Sequence, residues 1–122
     1  MKFEIHNING DVLYSREGES LKAVLEEAVA SGVRLIEANL SGADLEEANL
    51  SGAILIGAFL TETNLSGANL RKANITNADL QYSNLENSDL CDSCLAGANL
   101  RMAKLHGANV SGVRILNGVR IG

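Results

Sequence analysis

The amino-acid sequence predicts a solenoid, in which a short repeat winds around one continuous core. Three observations support this fold class. A leucine-like residue recurs at every fifth position from residue 35 to residue 115, the residue two positions earlier is almost always small, and aromatic residues make up only 3% of the chain. Because large aromatic side chains fill most irregular cores, a regular stack of aliphatic side chains has to take their place here.

The repeat occupies residues 33–117 as seventeen consecutive units of five residues, among them ANLSG, ADLEE and ANLRK. The first position is alanine, serine or threonine apart from two valines near the ends, and the third is leucine except at Ile75, Val110 and Ile115. Such self-similarity outweighs local propensity. The predicted core ladder contains Leu40, Leu45, Leu50, Leu60, Leu65, Leu70, Leu80, Leu85, Leu90, Leu100 and Leu105.

A period of five fits neither regular element. On an α-helix successive leucines would lie about 140° apart around the axis, and on a straight strand an odd spacing would send them to opposite faces. The chain must therefore turn once in every repeat. Burying one leucine contributes about 2 kcal/mol, whereas ordering each residue costs about 1–2 kcal/mol, so the units are stable only when they stack.

The segment before the repeat is predicted to begin with a β-hairpin. Asn9 and Gly10 form a dipeptide that is typical of a two-residue hairpin turn, and apolar residues alternate with polar ones on both sides of it. The side chains that this pairing would place on one face are Phe3, Ile5, Val12 and Tyr14.

An amphipathic helix is expected after the hairpin, from about Ser20 to Ser31, with Gly32 as its stop signal. We expect this helix to cap the open end of the leucine core. The chain thus divides into a hairpin and capping helix over 1–32, the repeat over 33–117 and a tail over 118–122, all in one structural domain. The tail breaks the repeat because Arg120 falls where a leucine is expected.

The units ANLSG, ADLEE and ANLRK resemble the A(D/N)LXX signature of the pentapeptide-repeat family, and the resemblance covers about two-thirds of the chain. It implies an all-β solenoid, a right-handed four-sided β-helix with four repeats in each coil. Residues twenty apart would then stack, giving about four coils in a rod about 20 Å long at ~4.8 Å per coil.

The sequence offers little catalytic chemistry. Cys91 and Cys94 have the spacing of a redox pair or of half a zinc site, but a zinc site needs four ligands and the sequence has no second cysteine pair. We expect them to be incidental surface thiols. No catalytic, cofactor-binding or metal-binding residue is predicted, and no enzyme activity or cofactor, since a filled rod has no cleft in which to place reacting groups.

Charge and segment composition narrow the expected partners. The net charge of −5 disfavours nucleic acid and membrane surfaces as partners. No leader sequence and no apolar stretch of about 18 residues is evident, so a membrane span is not expected. Two cysteines do not form a disulfide framework, which favours a cytoplasmic location.

The expected function is that of a protein-interaction scaffold with an unknown protein partner, or of a weak homodimer. The alternative is a DNA mimic that binds or protects a type II topoisomerase such as gyrase, as some family members do. Imitating B-DNA over ~20 Å would take about a dozen charges, yet residues 33–122 carry nine acidic and seven basic residues, which weakens this alternative.

Stacking every twentieth residue predicts an apolar stripe on an otherwise polar rod. Either the hairpin folds back over this stripe or a second molecule covers it. The candidate interaction surface consists of Ile36, Ile54, Ile56, Phe59, Tyr82, Met102 and Leu116.

Overall fold

The structure is a computed structural model that describes residues 1–115 and the backbone of residues 120–121. The chain forms a hairpin, one helix and then a long stack of bridged turns. The two hairpin strands are antiparallel, whereas the last two strands are parallel. In chain order the elements are β1 (Lys2–His6), β2 (Val12–Glu17), α1 (Leu21–Ala30), β3 (Asn99–Leu100) and β4 (Arg120–Ile121).

Parallel bridges between single residues hold the repeat region together. Each bridge in this region joins positions twenty residues apart, as between Asn49 and Asn69, so four units of five residues complete one coil. Backbone hydrogen bonds run in both directions between adjacent coils. The Leu50 N–H donates to the Asn69 carbonyl at 2.8 Å, and the Asn69 N–H donates to the Ala48 carbonyl at 2.9 Å. Asn99 pairs with Arg120 instead, one residue beyond this spacing.

The third position of each repeat points into the core. From Leu40 to Leu100, every residue of the predicted ladder is at most 3% exposed. Leu105 is only half-buried, because among the described residues none lies twenty positions further on to stack over it. Val110 and Ile115, in the same coil, are each 54% exposed for the same reason. The core is therefore closed along the rod and open at this end of the described stack.

The turn of the hairpin differs from the predicted two-residue turn at Asn9 and Gly10. The Asn7 N–H donates to the Asp11 carbonyl at 2.9 Å, and the Gly10 N–H donates to the Asn7 carbonyl at 3.0 Å, so the loop contains three residues, 8–10. Gly10 closes the loop with a φ of +85°, a left-handed conformation that glycine adopts readily.

This turn also changes which side chains share a face. Ile5 pairs with Tyr14, but the register then shifts and His6 pairs with Val12. Ile5 is 1% exposed, whereas Val12 is 50% exposed. The prediction that Val12 lies on the face of Phe3, Ile5 and Tyr14 is wrong, because the bulge after Ile5 reverses the alternation of side chains.

The hairpin bonds to the edge of the first coil. The Asn39 N–H donates to the His6 carbonyl at 2.8 Å, and the Ile8 N–H donates to the Glu37 carbonyl at 3.1 Å. In later coils the N–H equivalent to that of Asn39 bonds to the preceding coil, as the Phe59 N–H does to Ala38. The hairpin thus stands where a preceding coil would stand on this side.

Helix α1 packs against the same end of the stack. Ser20 is its N-cap, and the Ser20 Oγ accepts from the Ala23 N–H at 3.0 Å. The Glu26 carboxylate accepts from the Asn49 backbone N–H at 2.7 Å, which satisfies another donor on the edge of the first coil. The side chains that α1 buries in the core are Val24, Leu25 and Ala28.

The fifth position of the repeat turns each corner of the coil in a left-handed conformation, as in Asn77 with a φ of +59° and Gly97 with a φ of +68°. The two residues stack, and the Asn77 side chain lies across the glycine. A Cβ added to Gly97 would overlap with Asn77 Oδ1, whereas one added to Gly52, with a φ of +73°, would meet nothing within 4 Å.

We therefore expect Gly97→Ala to be more destabilising than Gly52→Ala. Both substitutions force a Cβ into the left-handed region, at a cost of about 1–2 kcal/mol, but only the first also displaces the Asn77 amide. Chemical denaturation should show this difference in the free energy of unfolding, and Asn77→Gly should abolish it. Equal losses for the two alanine variants would mean that the Asn77 side chain moves aside without cost.

Candidate interaction surface

The second position of the repeat, most often Asn or Asp, is bound to its own turn. Asn69 Oδ1 accepts from the Arg71 N–H at 3.0 Å, and Asn84 Oδ1 accepts from the Glu86 N–H at 3.0 Å. An acceptor two residues before a backbone donor stabilises a turn of this kind. Most of these side chains therefore serve the fold rather than a ligand, a role that the five-residue period alone does not reveal.

Most of the predicted apolar stripe is only half exposed. Ile54 occupies the second position of its repeat and forms bridges with Arg34 below and Asn74 above, so neighbouring coils cover part of its side chain. Leu116 lies outside the described residues. The half-buried members of the predicted surface are Ile36, Ile54, Ile56 and Phe59.

Among the described members of the predicted surface, Tyr82 and Met102 are exposed. Their exposed fractions are 63% and 61%. Both occupy the fifth position of a repeat, where the side chain projects from a corner, with φ values of +61° and +60°. The Tyr82 N–H donates to the Arg101 carbonyl at 3.0 Å, so the two corners stack directly.

Two basic side chains flank this pair. Arg101 precedes Met102, Lys104 follows it two residues later, and both are exposed. Within the part of the chain that the structure describes, neither forms an ion pair within 4.0 Å. In contrast, the guanidinium of Arg71 lies 3.1 Å from the Asp89 carboxylate. The backbone N–H of Cys91 and then that guanidinium lower the pKa of Asp89.

An open groove of about 650 Å³ lies between the start of helix α1 and the first coil. The Lys22 ammonium crosses it and donates to the Glu46 carbonyl at 3.1 Å. Among the described residues, no group of three or more His, Cys, Asp or Glu side chains is placed to hold a metal ion. The residues that line the groove are Ser20, Leu21, Lys22, Asp44, Glu46 and Glu47.

Cys91 and Cys94 are both free and half-buried. Cys94 takes a second position, where most repeats have Asn or Asp, and its Sγ lies 3.4 Å from Thr76 Oγ1. The hydrogen bond between the Cys94 thiol and the Thr76 hydroxyl, and then the one with the Ala96 N–H, lower the pKa of Cys94. This contact could not be found from the sequence, because Thr76 is eighteen residues away and becomes a neighbour only through the coil.

Removing the hydroxyl should reverse this effect. In a Cys91→Ser background, we expect Thr76→Val to raise the pKa of Cys94 towards its usual value, because the thiolate loses a donor. The rate of alkylation by iodoacetamide, measured as a function of pH, reports this pKa. A pH profile that is identical with and without Thr76→Val would contradict the contact.

Solved structures with a similar fold were found. Rfr23, a pentapeptide repeat protein from the cyanobacterium Cyanothece 51142, is 43% identical with a TM-score of 0.71, over 74% of this chain and 60% of its own length. A second, alr5209 from Nostoc PCC 7120, is 28% identical with a TM-score of 0.57, over 88% of this chain and 100% of its own. QnrB1, a plasmid-mediated fluoroquinolone resistance protein, is 17% identical with a TM-score of 0.47, over 69% of this chain and 56% of its own, too distant to inform function.

The family comparison agrees with the sequence pattern. The family model described as pentapeptide repeats matches with 8 copies over residues 22–52, 43–81 and 73–112. No protein with a curated description matches the chain. This chain spans 60% of the length of Rfr23, so it corresponds to part of that protein. The repeat, the coil and these matches together show that the chain belongs to the pentapeptide-repeat family and folds as a right-handed β-helix solenoid.

Proposed function

We propose that this chain is a non-enzymatic scaffold that presents a regular outer surface to a protein partner. The observation that carries the proposal is the stacking of outward positions in columns of residues twenty apart. Each column repeats at about 4.8 Å on a backbone that is fixed by hydrogen bonds. A partner that binds such a rigid surface loses little conformational entropy from it, which favours affinity.

We propose that the hairpin and helix α1 cap the first of about four coils. Two contacts support this role. The His6 carbonyl accepts from the Asn39 N–H, and the Glu26 carboxylate accepts from the Asn49 N–H, so two donors on the coil edge are satisfied. An edge that is satisfied in this way cannot pair with a strand of another molecule. The cap would thus leave the sides of the rod for the partner.

The remaining chemistry supports binding rather than catalysis. Most second-position carboxylates and amides are engaged by their own turns, as Asp79 Oδ1 is by the Gln81 N–H at 3.2 Å. We place the protein in the cytoplasm, a location that its free thiols support. No helix among the described residues is long and apolar enough to cross a membrane.

The scaffold proposal is tested by recovering the partner. The tagged chain, crosslinked in its native host and purified under denaturing conditions, should recover one protein reproducibly in mass spectrometry. The Leu70→Asp variant, whose rod we expect to be unfolded or strongly destabilised, is the control, and the same protein should be missing from it. Recovery of the same set of proteins with the wild type and with Leu70→Asp would contradict the scaffold proposal.

The alternative, mimicry of DNA towards gyrase, has less support. Arg101, Lys104 and Arg114 interrupt the acidic surface at one end of the rod, where a DNA mimic needs continuous negative charge. We expect no inhibition of gyrase and no protection from its inhibitors in a supercoiling assay at equimolar protein. Stoichiometric protection of gyrase would make DNA mimicry the better-supported function.

A weak homodimer also stays a prediction, which a measurement of the mass in solution by light scattering tests.

A further inference from the structure

We infer that one corner of the rod is a docking site for an acidic segment of a partner protein with an apolar anchor residue. This site, the Tyr82 corner, consists of residues 81–84 and 101–104. The inference rests on the proposed scaffold function, to which it adds the place of binding and the chemistry of the partner.

The Tyr82 corner is formed by two turns that stack directly. The Tyr82 N–H donates to the Arg101 carbonyl at 3.0 Å, and the Lys104 N–H donates to the Ser83 carbonyl at 2.9 Å. Tyr82 and Met102 therefore project side by side, about 4.8 Å apart along the rod axis. Their backbone positions are fixed by the coil, so together they form a preformed apolar edge.

Tyr82 and Met102 are unfavourable residue types at these positions, both for the backbone conformation and for exposure to solvent. A left-handed φ disfavours bulky side chains and suits glycine, asparagine and aspartate, and an exposed position suits polar residues. The other non-glycine corners with positive φ are all polar. Residues that violate two local preferences at once indicate a surface kept for binding. Those polar corners are Glu37, Glu47, Glu62, Lys72, Asn77, Asn87 and Asp92.

The charge around the corner determines which partner fits. Arg101 and Lys104 flank the apolar edge and form no ion pair among the described residues. The chain carries a net charge of −5, so the rest of its surface repels an acidic partner and orients it towards this corner. The guanidinium of Arg101 can bind a carboxylate with two parallel hydrogen bonds. The same net charge disfavours a nucleic acid, whose phosphates would be repelled along the rest of the rod.

Selection from a random peptide library tests this chemistry without knowledge of the natural partner. We expect 12-residue peptides displayed on phage and selected on the immobilised chain to converge on acidic residues around one aromatic or aliphatic residue. A synthetic, fluorescein-labelled copy of the selected peptide then serves as the probe in fluorescence polarisation. Enrichment of basic peptides, or no convergence, would overturn the inference.

Variants then locate the binding site. Tyr82→Asn with Met102→Asn should weaken binding of the probe peptide by about tenfold or more, while asparagine suits the left-handed corners and preserves folding. Arg101→Glu with Lys104→Glu should weaken it to a similar extent, and wild-type binding should fall as salt is raised. The matched control is Lys72→Asn with Asp92→Asn, a stacked and exposed pair on another corner, which should bind the probe as wild type does.

Four outcomes would contradict the inference. The probe peptide could bind the Tyr82→Asn, Met102→Asn variant unchanged, or a labelled single-stranded oligonucleotide could displace it from the corner. Light scattering could reveal a dimer that this variant dissociates, which would make a second copy the occupant. The native partner, once recovered, could bind this variant as well as wild type, in which case the scaffold stands and only the corner is wrong. If peptides bind the Tyr82 corner but no native partner is recovered, the corner stands as a binding site and the proposed scaffold function is wrong.

Discussion

Replacing Leu70 by aspartate should unfold the protein. Leu70 is 1% exposed, and its side chain lies in the middle of the leucine ladder with no polar partner for a carboxylate. Burying an unpaired charge costs several kcal/mol, a large part of the roughly 5–15 kcal/mol by which most domains are stable. Circular dichroism should show no cooperative melting, or a strongly lowered midpoint.

Lys72→Asp is the matched control for this experiment. It introduces the same side chain two residues later, at an exposed corner with a φ of +59°, where aspartate is well tolerated. Its melting temperature should fall far less than that of Leu70→Asp, because the new carboxylate stays exposed to water, where its repulsion from the stacked Asp92 costs at most about 1 kcal/mol. A Leu70→Asp variant that melted like this control would refute the inward position of the ladder.

The second large effect is expected at the junction between helix α1 and the first coil. Leu25 is 0% exposed and belongs to the same core as the leucine ladder. Leu25→Ala should lower the free energy of unfolding by about 2–5 kcal/mol, through lost burial and the cavity that remains. A loosened α1 also withdraws the Glu26 carboxylate from the Asn49 N–H, which exposes a coil edge to association.

Urea denaturation should therefore show a lower free energy of unfolding for Leu25→Ala, and light scattering should show a larger mass in solution. Val12→Ala provides the control, because Val12 is 50% exposed and its truncation should change stability by about 0.5 kcal/mol or less. Leu25→Ala with the stability and mass of this control would mean that α1 does not close the core.

The leucine ladder was predictable because a period of five allows only a chain that turns once per repeat. The register of the hairpin was not predictable from Asn9 and Gly10 alone. Asn7 decides it, since its Oδ1 accepts from the N–H groups of Asn9 and Asp11 at 2.9 and 3.0 Å and so stabilises a three-residue loop. The turn is therefore determined by the Asn7 side chain, which lies outside the predicted Asn9–Gly10 turn.

The exposure of the candidate surface residues could not be read from the sequence alone. Sequence stacking identified the columns that contain Ile54 and Tyr82, but it treated all outward positions alike. In the structure a second-position side chain such as Ile54 lies between its neighbours in adjacent coils, whereas a fifth-position side chain such as Tyr82 projects from the corner. That difference depends on the backbone conformation of the corner, which hydrophobicity alone does not reveal.

The coil of four repeats gives the core and the surface different tolerances to insertion and deletion. Loss of one five-residue unit between Tyr82 and Met102 would leave every leucine pointing inward, because each unit turns the chain in the same way. It would also rotate everything after the deletion by one side of the rod, so that Gly107 rather than Met102 stacked on Tyr82. Such a chain should fold and yet lose a binding edge built across two coils. Rods of this kind can keep their binding edges through length changes only when whole coils of twenty residues are gained or lost.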